Sequence, residues 1–113
     1  YAYSIAMGGV SQMTKELSTE WSSRGVRVNT VAPAQVLNDS LRKRIEKDPE
    51  LENYFLGGIP AGRLGAPNDI KGIAVLLASD ASSWITGATI PMDGGNIAMN
   101  SGGTPGHMNN ENN

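Results

Sequence analysis

The amino-acid sequence predicts the α/β class, with about half of a sheet of that class in the chain. A long segment with helical periodicity is followed, after a short glycine turn, by a segment rich in β-branched residues. A second helix and a second short strand follow further along, and no internal repeat is visible. Helices that alternate with strands in this way are typical of α/β architecture.

The first predicted helix runs from about residue 4 to residue 23. Arg24 and Gly25 end it in the usual way, with a basic last turn and a glycine stop. The apolar residues of this segment recur at spacings of three and four, which is the period of a helix. They are Ala6, Val10, Met13, Leu17 and Trp21.

Two segments are predicted to be strands. Residues 26–32 are rich in β-branched side chains and are bounded by Gly25 and Pro33. Residues 86–92 form a second, shorter candidate, and the Asp-Gly-Gly sequence at 93–95 predicts a turn directly after it.

The segment between the two strands is predicted to be mostly helical. Residues 38–55 read as two short helices separated by an Asp-Pro step, and residues 57–67 as a loop rich in glycine and proline. Pro67 and Asp69 suit the first turn of a helix over residues 67–79. Its expected core stripe consists of Ile70, Ala74 and Leu77.

Composition narrows the classes of function. The chain has 113 residues, 39% of them apolar, a net charge of -2 and a pI near 5.2. This charge gives no reason to expect nucleic acid or an anionic membrane as a partner. Because cysteine is absent, disulfides and thiolate zinc sites are excluded, and a cytoplasmic, reducing location is expected. The classes of partner that the composition leaves open are small molecules and other proteins.

Residues 1–97 are predicted to be part of a single domain, and residues 98–113 a disordered polar tail rich in asparagine and glycine. The chain begins with tyrosine rather than methionine, at a predicted helix start, which favours a fragment. Two strands alone leave the apolar helix faces short of partners, so low stability in isolation is expected.

Three blocks in order resemble the C-terminal half of a classical short-chain dehydrogenase/reductase. They are YSIAMGGV at residues 3–10, RVNTVAPA at 27–34, and the segment 59–95, which contains IPAGRLGAPNDI, LLASDASS and ITGA before DGG. The resemblance covers about residues 1–97. It implies the C-terminal part of a Rossmann-like doubly wound parallel sheet, and hydride transfer between NAD or NADP and a carbonyl or alcohol substrate. The family's glycine-rich turn and catalytic serine lie upstream, so this chain alone is expected to be inactive.

The resemblance gives Tyr3 the role of the catalytic proton donor. The family's lysine, one helical turn further on, corresponds to Met7, and a thioether has no charge and donates no hydrogen bond. Lys15 is twelve residues from Tyr3, about 18 Å along a helix, so it cannot replace that lysine. Met7 is expected to pack beside the cofactor site. On spacing alone, the favoured interpretation of Tyr3 is an ordinary aromatic residue at a helix start, and the resemblance of the downstream blocks reverses that preference.

The resemblance assigns cofactor binding to the loop after the first strand. In the family, a proline-glycine loop binds the nicotinamide carboxamide through its backbone, with a threonine further on. Pro33, Ala34, Val36 and Asn38 occupy these positions here, with alanine for the glycine and asparagine for the threonine. Alanine resists positive φ, which favours a changed loop path, while Asn38 still offers a donor and an acceptor. A plain strand-to-helix turn is the alternative.

The remaining polar residues are expected to be structural. Asn29 is predicted to be buried at the strand, and Arg63 to hydrogen-bond loop carbonyls or a carboxylate. The charged run at residues 42–48 is most simply a solvated helix face. No cluster with metal-ligand spacing is present.

Three hypotheses follow for the full-length parent. It is an NAD(P)-dependent oxidoreductase in which another group replaces the lysine, or a non-catalytic member that binds a nucleotide or other subunits, or the residue at position 7 is a sequence error. The family implies a homodimer or homotetramer, to which Met13, Leu17 and Trp21 could contribute if they do not pack on the sheet. In the family, residues 38–56 would form a substrate lid, but the sequence does not identify the substrate.

Overall fold

The computed structural model describes residues 1–99 and 103–108. Within these residues the chain forms four α-helices and two β-strands, with short 3-10 turns at Ser22–Arg24, Asp80–Ser82 and Gly106–Met108. The main elements in chain order are α1 (Ala2–Trp21), β1 (Thr30–Pro33), α2 (Asp39–Lys47), α3 (Glu50–Leu56), α4 (Asn68–Ala78) and β2 (Thr89–Met92).

The two strands pair directly with each other and run parallel. The backbone N–H of Thr30 donates to the carbonyl of Ala88 at 2.8 Å, and that of Ala34 donates to Met92 at 3.2 Å. The partners advance together along both strands, which is the parallel arrangement. Parallel strands need a long crossover connection, and here that connection contains three helices. The α/β class with a parallel sheet is therefore confirmed.

Both strands are shorter than predicted, because they begin at Thr30 and Thr89 rather than at residues 26 and 86. Before the strands start, side chains make several of the hydrogen bonds, beside one backbone bond from the N–H of Gly87 to the carbonyl of Val28 at 2.7 Å. The N–H of Val28 donates to the hydroxyl of Thr86 at 3.0 Å. The amide of Asn29 donates to the carbonyl of Ile85 and accepts from the N–H of Ala88, each at 3.0 Å. Asn29 is thus structural, as predicted, although it is only partly buried.

The chain divides into two compact units, which we describe separately. The first contains Tyr1–Ala32 and Lys71–Ile90, and the second contains Pro33–Ile70 and Pro91–Asn113. The sequence prediction of one domain over residues 1–97 remains a prediction.

In the first unit, the face of α1 that packs inward carries hydroxyl groups. Thr14 and Ser18 are buried, and Thr14 hydrogen-bonds the hydroxyl of Thr30. Ser11 lies one turn earlier and bonds the hydroxyl of Thr89 at 3.3 Å. Small side chains at spacings of three and four let the helix backbone come close to the strands.

The predicted apolar stripe is therefore not the buried face of α1. Met13 is 51% exposed, while Leu17 and Trp21 are partly buried and flank the hydroxyl face. The hydrophobic periodicity correctly predicted a helix, but it did not identify the face of α1 that is buried. Gly25 ends this segment with φ of 79°, in agreement with the predicted glycine stop.

Gly87→Ala is expected to destabilise the fold by about 1–3 kcal/mol. Gly87 has φ of 76°, and a Cβ placed there would lie 2.7 Å from the hydroxyl of the buried Ser18. Gly72→Ala is the matched control, because its Cβ meets no atom within 4 Å on helix α4. The control should gain about 0.5–1 kcal/mol from helix propensity. Urea unfolding of both variants measures the difference, and equal midpoints would argue against close packing of α1 on this turn.

In the second unit, the two predicted short helices are confirmed as α2 and α3. The chain's buried apolar residues, among those described, are Leu41 and Ile59, and both belong to this unit. The Asp-Gly-Gly turn packs on Ile59, since a Cβ on Gly94 would lie 2.6 Å from its side chain. The predicted turn after β2 is therefore confirmed. Glycine is required at position 94 because a Cβ would clash with Ile59 and because φ is 62°.

The predicted polar tail is described in part. Residues 98–99 and 103–108 of this tail are described and contain the 3-10 turn Gly106–Met108, whereas residues 100–102 and 109–113 lie outside the described residues. Disorder of residues 98–113 therefore stays a prediction. None of the helices in the described ranges combines the length and apolar character needed to span a bilayer.

Candidate functional site

The second unit contains a cavity of about 530 Å³ at the carboxyl end of β1. The loop after β1, helix α2, Phe55 of α3 and Ile70 of α4 form its walls. The lining residues are Pro33, Ala34, Gln35, Val36, Asn38, Ser40, Leu41, Arg44, Phe55 and Ile70. All four residues predicted to bind cofactor thus share one cavity, of the size and mixed polarity that small-molecule sites have.

Backbone hydrogen bonds on both sides hold the loop in place. Ala34 donates to Met92, and a parallel bridge joins Val36 to Gly65. In this bridge Gly65 donates to Gln35 at 3.0 Å and accepts from Leu37 at 2.8 Å. These bonds leave the N–H of Val36 without an acceptor among the described residues. The loop therefore offers a free backbone donor in a fixed position.

Asn38 has a structural role that the sequence interpretation missed. Its side-chain oxygen accepts from the N–H of Leu41 at 2.9 Å, which caps the first turn of α2. Its amide nitrogen makes no hydrogen bond within the described part of the chain. The cap fixes the side chain at the cavity wall and leaves the donor available, so a polar ligand group can be bound there.

Tyr3 lies in the other unit, on the first turn of α1, and its side chain is 76% exposed. Met7 is one turn further along on the same side of the helix and is 47% exposed. Neither side chain makes a hydrogen bond among the described residues. The four loop residues therefore lie together in the second unit, while Tyr3 belongs to the first unit. The roles assigned to all five residues remain predictions. Packing of Met7 beside the cofactor site likewise stays a prediction.

A second cavity, of about 360 Å³, lies beside the Arg63–Asp69 ion pair. Arg63 donates to both carboxylate oxygens of Asp69, at 2.8 and 3.0 Å, and to the carbonyl of Leu64 at 3.1 Å. Asp69 also accepts from the N–H of Ala66 at 2.7 Å. The prediction that Arg63 binds loop carbonyls or a carboxylate is confirmed in both parts, and these bonds hold the loop before α4.

The carboxyl of Asp69 is expected to titrate with a pKa of about 2, because Arg63 donates to it and the N–H of Ala66 adds a further bond. The folded pKa lies below the unfolded value, so this contribution to stability is present above about pH 4 and is lost as pH falls through about 2. Carbon-13 NMR titration measures the midpoint. Arg63→Gln should raise it toward about 4, whereas Arg42→Gln should not. A midpoint that Arg63→Gln leaves unchanged would contradict the assignment.

Several cavity residues were missed from the sequence. Gln35 and Ser40 contribute polar groups, and Arg44 contributes the one ionisable side chain among the lining residues. Arg44 was predicted to belong to a solvated helix face; it is exposed, but it also lines the cavity. The sequence offered one signal for this role of Arg44: it lies four residues after Ser40, so the two share one face of α2. Across residues 1–99 and 103–108, no three His, Cys, Asp or Glu side chains gather as a metal site.

Comparisons with known proteins identify the family of the chain. The family model described as enoyl-(acyl carrier protein) reductase matches residues 1–96. A 2-dehydro-3-deoxy-D-gluconate 5-dehydrogenase of Pseudoalteromonas atlantica is 43% identical over 93 residues, which are 82% of this chain and 36% of that protein. The inactive 2-(S)-hydroxypropyl-CoM dehydrogenase 2 of Xanthobacter autotrophicus is 37% identical over 101 residues, which are 87% of this chain and 44% of that protein.

A solved structure from Agrobacterium tumefaciens, assigned provisionally as a 2-deoxy-D-gluconate 3-dehydrogenase and containing bound NADP, superimposes with a TM-score of 0.79 at 38% identity. The match covers 85% of this chain and 39% of that one. The chain thus spans about two fifths of the length of these proteins. These matches establish that the chain belongs to the short-chain dehydrogenase/reductase family and has part of the family's Rossmann-like parallel α/β sheet.

Proposed function

We propose that the whole protein is an oxidoreductase that transfers hydride between NAD or NADP and an alcohol or carbonyl substrate. The observation that carries this proposal is the cavity at the carboxyl end of β1, which all four predicted cofactor-binding residues line. In parallel α/β sheets, ligands bind at the carboxyl ends of the strands. The P. atlantica relative is named as a dehydrogenase and the A. tumefaciens structure contains NADP, which supports both the reaction class and the cofactor.

The loop fits the amide end of a nicotinamide. The N–H of Val36 is free to donate to a carbonyl oxygen, and the amide nitrogen of Asn38 is a second donor on the same wall. Met92, through its carbonyl, holds the loop at Ala34 and limits its movement. When bound, the nicotinamide supplies or accepts the hydride. The protein's part here is to orient that group with donors that need no rearrangement.

Tyr3 is the residue we propose to exchange the proton. In the reducing direction its hydroxyl donates a proton to the substrate oxygen while the carbonyl carbon receives the hydride; oxidation reverses both transfers. Tyr3 makes no competing hydrogen bond among the described residues, so the hydroxyl is available. Met7 cannot supply the cation that favours the ionised phenol, so proton transfer is expected to be slower than with lysine in that position.

A non-catalytic, nucleotide-binding protein is the second candidate. Met7 favours it, and so does the X. autotrophicus relative, which is named as inactive although it matches 87% of this chain. For either candidate we propose a cytoplasmic protein that assembles as a homodimer or homotetramer. We further propose that this chain alone, which spans about two fifths of its relatives, does not complete a turnover.

Parallel measurements on the full-length protein separate the two candidates. Fluorescence titration measures the affinity for NADH and NADPH, and the absorbance at 340 nm measures their steady oxidation with a panel of ketones and aldehydes. An enzyme should bind and oxidise at least one cofactor, whereas the second candidate should bind without turnover. Absence of binding to either cofactor would overturn both proposals.

A further inference from the structure

Arg44 gives the cavity at the carboxyl end of β1 a single positive charge. Its neighbours along the wall are neutral, and none of the described residues that line the cavity has a carboxylate. Besides Asn38, which we assign to the nicotinamide, the neutral polar residues that line the cavity are Gln35 and Ser40, whose side chains are suited to bind hydroxyl groups. The combination of one cation and several neutral polar side chains is typical of a site for an anionic, hydroxylated ligand.

The guanidinium of Arg44 is not used by the protein itself. In the part of the chain that the structure describes, the Arg63–Asp69 pair is the ion pair within 4.0 Å, and Arg44 takes part in neither an ion pair nor a side-chain hydrogen bond. Asp48 is four residues further on, but it does not pair with Arg44. The planar guanidinium therefore keeps its donors free for a bidentate bond to a carboxylate.

Helix geometry separates Arg44 from the other cations of α2. Ser40 and Arg44 are four residues apart and both line the cavity. All four cations of α2 are exposed, but the other three do not line the cavity; they are Arg42, Lys43 and Lys47. The charge run thus has one basic residue that lines the cavity and three that do not. This difference provides a matched control within one helix.

We propose that Arg44 selects a substrate that bears a carboxylate on a hydroxylated carbon chain, binding the carboxylate while Gln35 and Ser40 bind hydroxyl groups. The proposal rests on the proposed function, since it assigns the substrate class of the same cavity. Arg44 acts here as a specificity-determining residue and takes no part in the hydride or proton transfer.

The test uses D-gluconate and D-glucitol, which share a six-carbon hydroxylated chain and differ by one charged group. Isothermal titration measures the binding of each to the full-length protein saturated with NADP⁺. The wild-type protein should bind D-gluconate at least about tenfold more tightly than D-glucitol. Arg44→Gln should abolish this preference, and Arg42→Gln should preserve it.

Three results would overturn the proposal: equal binding of the two compounds by the wild-type protein, binding of neither, or a preference that Arg44→Gln leaves intact. Reduction of NADP⁺ is followed in the same samples. A preference for D-gluconate that depends on Arg44 without any turnover would support the ligand class and count against the proposed function. Turnover of neutral alcohols that Arg44→Gln does not change would support the proposed function and count against the proposed ligand class.

Discussion

Tyr3→Phe is expected to lower the rate of hydride transfer by about 10²–10⁴-fold, because the substitution removes the proton donor and retains the ring. Folding should be unaffected, since the side chain is 76% exposed and makes no hydrogen bond among the described residues. Single-turnover kinetics of the full-length protein measure the rate. Cofactor affinity should stay unchanged, because the loop that we propose for nicotinamide binding is not altered.

Tyr1→Phe is the control for that experiment. Tyr1 precedes the same helix and is fully exposed, so its loss of a hydroxyl should leave the rate unchanged. If Tyr1→Phe abolished transfer while Tyr3→Phe did not, the register that assigns catalysis to Tyr3 would be wrong. Equal rates in all three proteins would favour the non-catalytic candidate or a different proton donor.

Met7→Lys should raise the rate of hydride transfer at neutral pH by about 10²-fold or more. A lysine one helical turn from Tyr3 places a positive charge beside the phenol, which favours its ionised form, and it adds hydrogen-bond donors that methionine lacks. Met7 is 47% exposed, so the longer charged side chain can be accommodated without burying a charge. The single-turnover rate, measured as a function of pH, should show its largest gain near neutrality.

Met13→Lys is the matched control for this gain. Met13 is on the same helix and is 51% exposed, but it lies ten residues from Tyr3, about 15 Å along the helix axis. It should leave the rate unchanged, because exposed charges at that distance are largely screened by salt. A similar gain in both variants would show that the effect of lysine is not local, and no gain in Met7→Lys would argue against the register.

The order of the elements was predictable because it depends on local signals. Hydrophobic periodicity marked α1, the glycine with positive φ at Gly25 ended it, and β-branched residues marked β1. The four loop residues predicted to bind cofactor line one cavity, since a loop after a parallel strand lies at the ligand edge of the sheet, and their role in binding stays a prediction. Each of these inferences needs only the residues next to the feature in sequence.

The features that were missed depend on contacts distant in sequence. Thr14 and Ser18 form the buried face of α1 because Thr30 and Gly87 approach them, and hydrophobic periodicity does not register hydroxyl groups. Before the strands start, polar side chains such as Asn29 share the hydrogen bonding with the backbone. Such packing partners are set by the tertiary fold, so the sequence pattern alone could not identify them.

Arg44 illustrates the same difference within the candidate site. Its helix and its face were predictable, but the cavity beside that face is formed by a loop, by Phe55 of α3 and by Ile70 of α4. These elements come together only in the folded unit. The charge run therefore looked uniform in the sequence, although one of its members borders the site.

Nuclear magnetic resonance of the Val36 amide tests most directly whether this loop receives the nicotinamide. The full-length protein, labelled with nitrogen-15 valine, is titrated with NADP⁺, with NAD⁺ and with 2′-phospho-ADP-ribose, which lacks the nicotinamide. We predict that the Val36 resonance shifts downfield with one of the complete cofactors and stays unchanged with the truncated one, because its N–H then donates to the carboxamide. A resonance that remains unperturbed when the complete cofactor is bound would contradict the account.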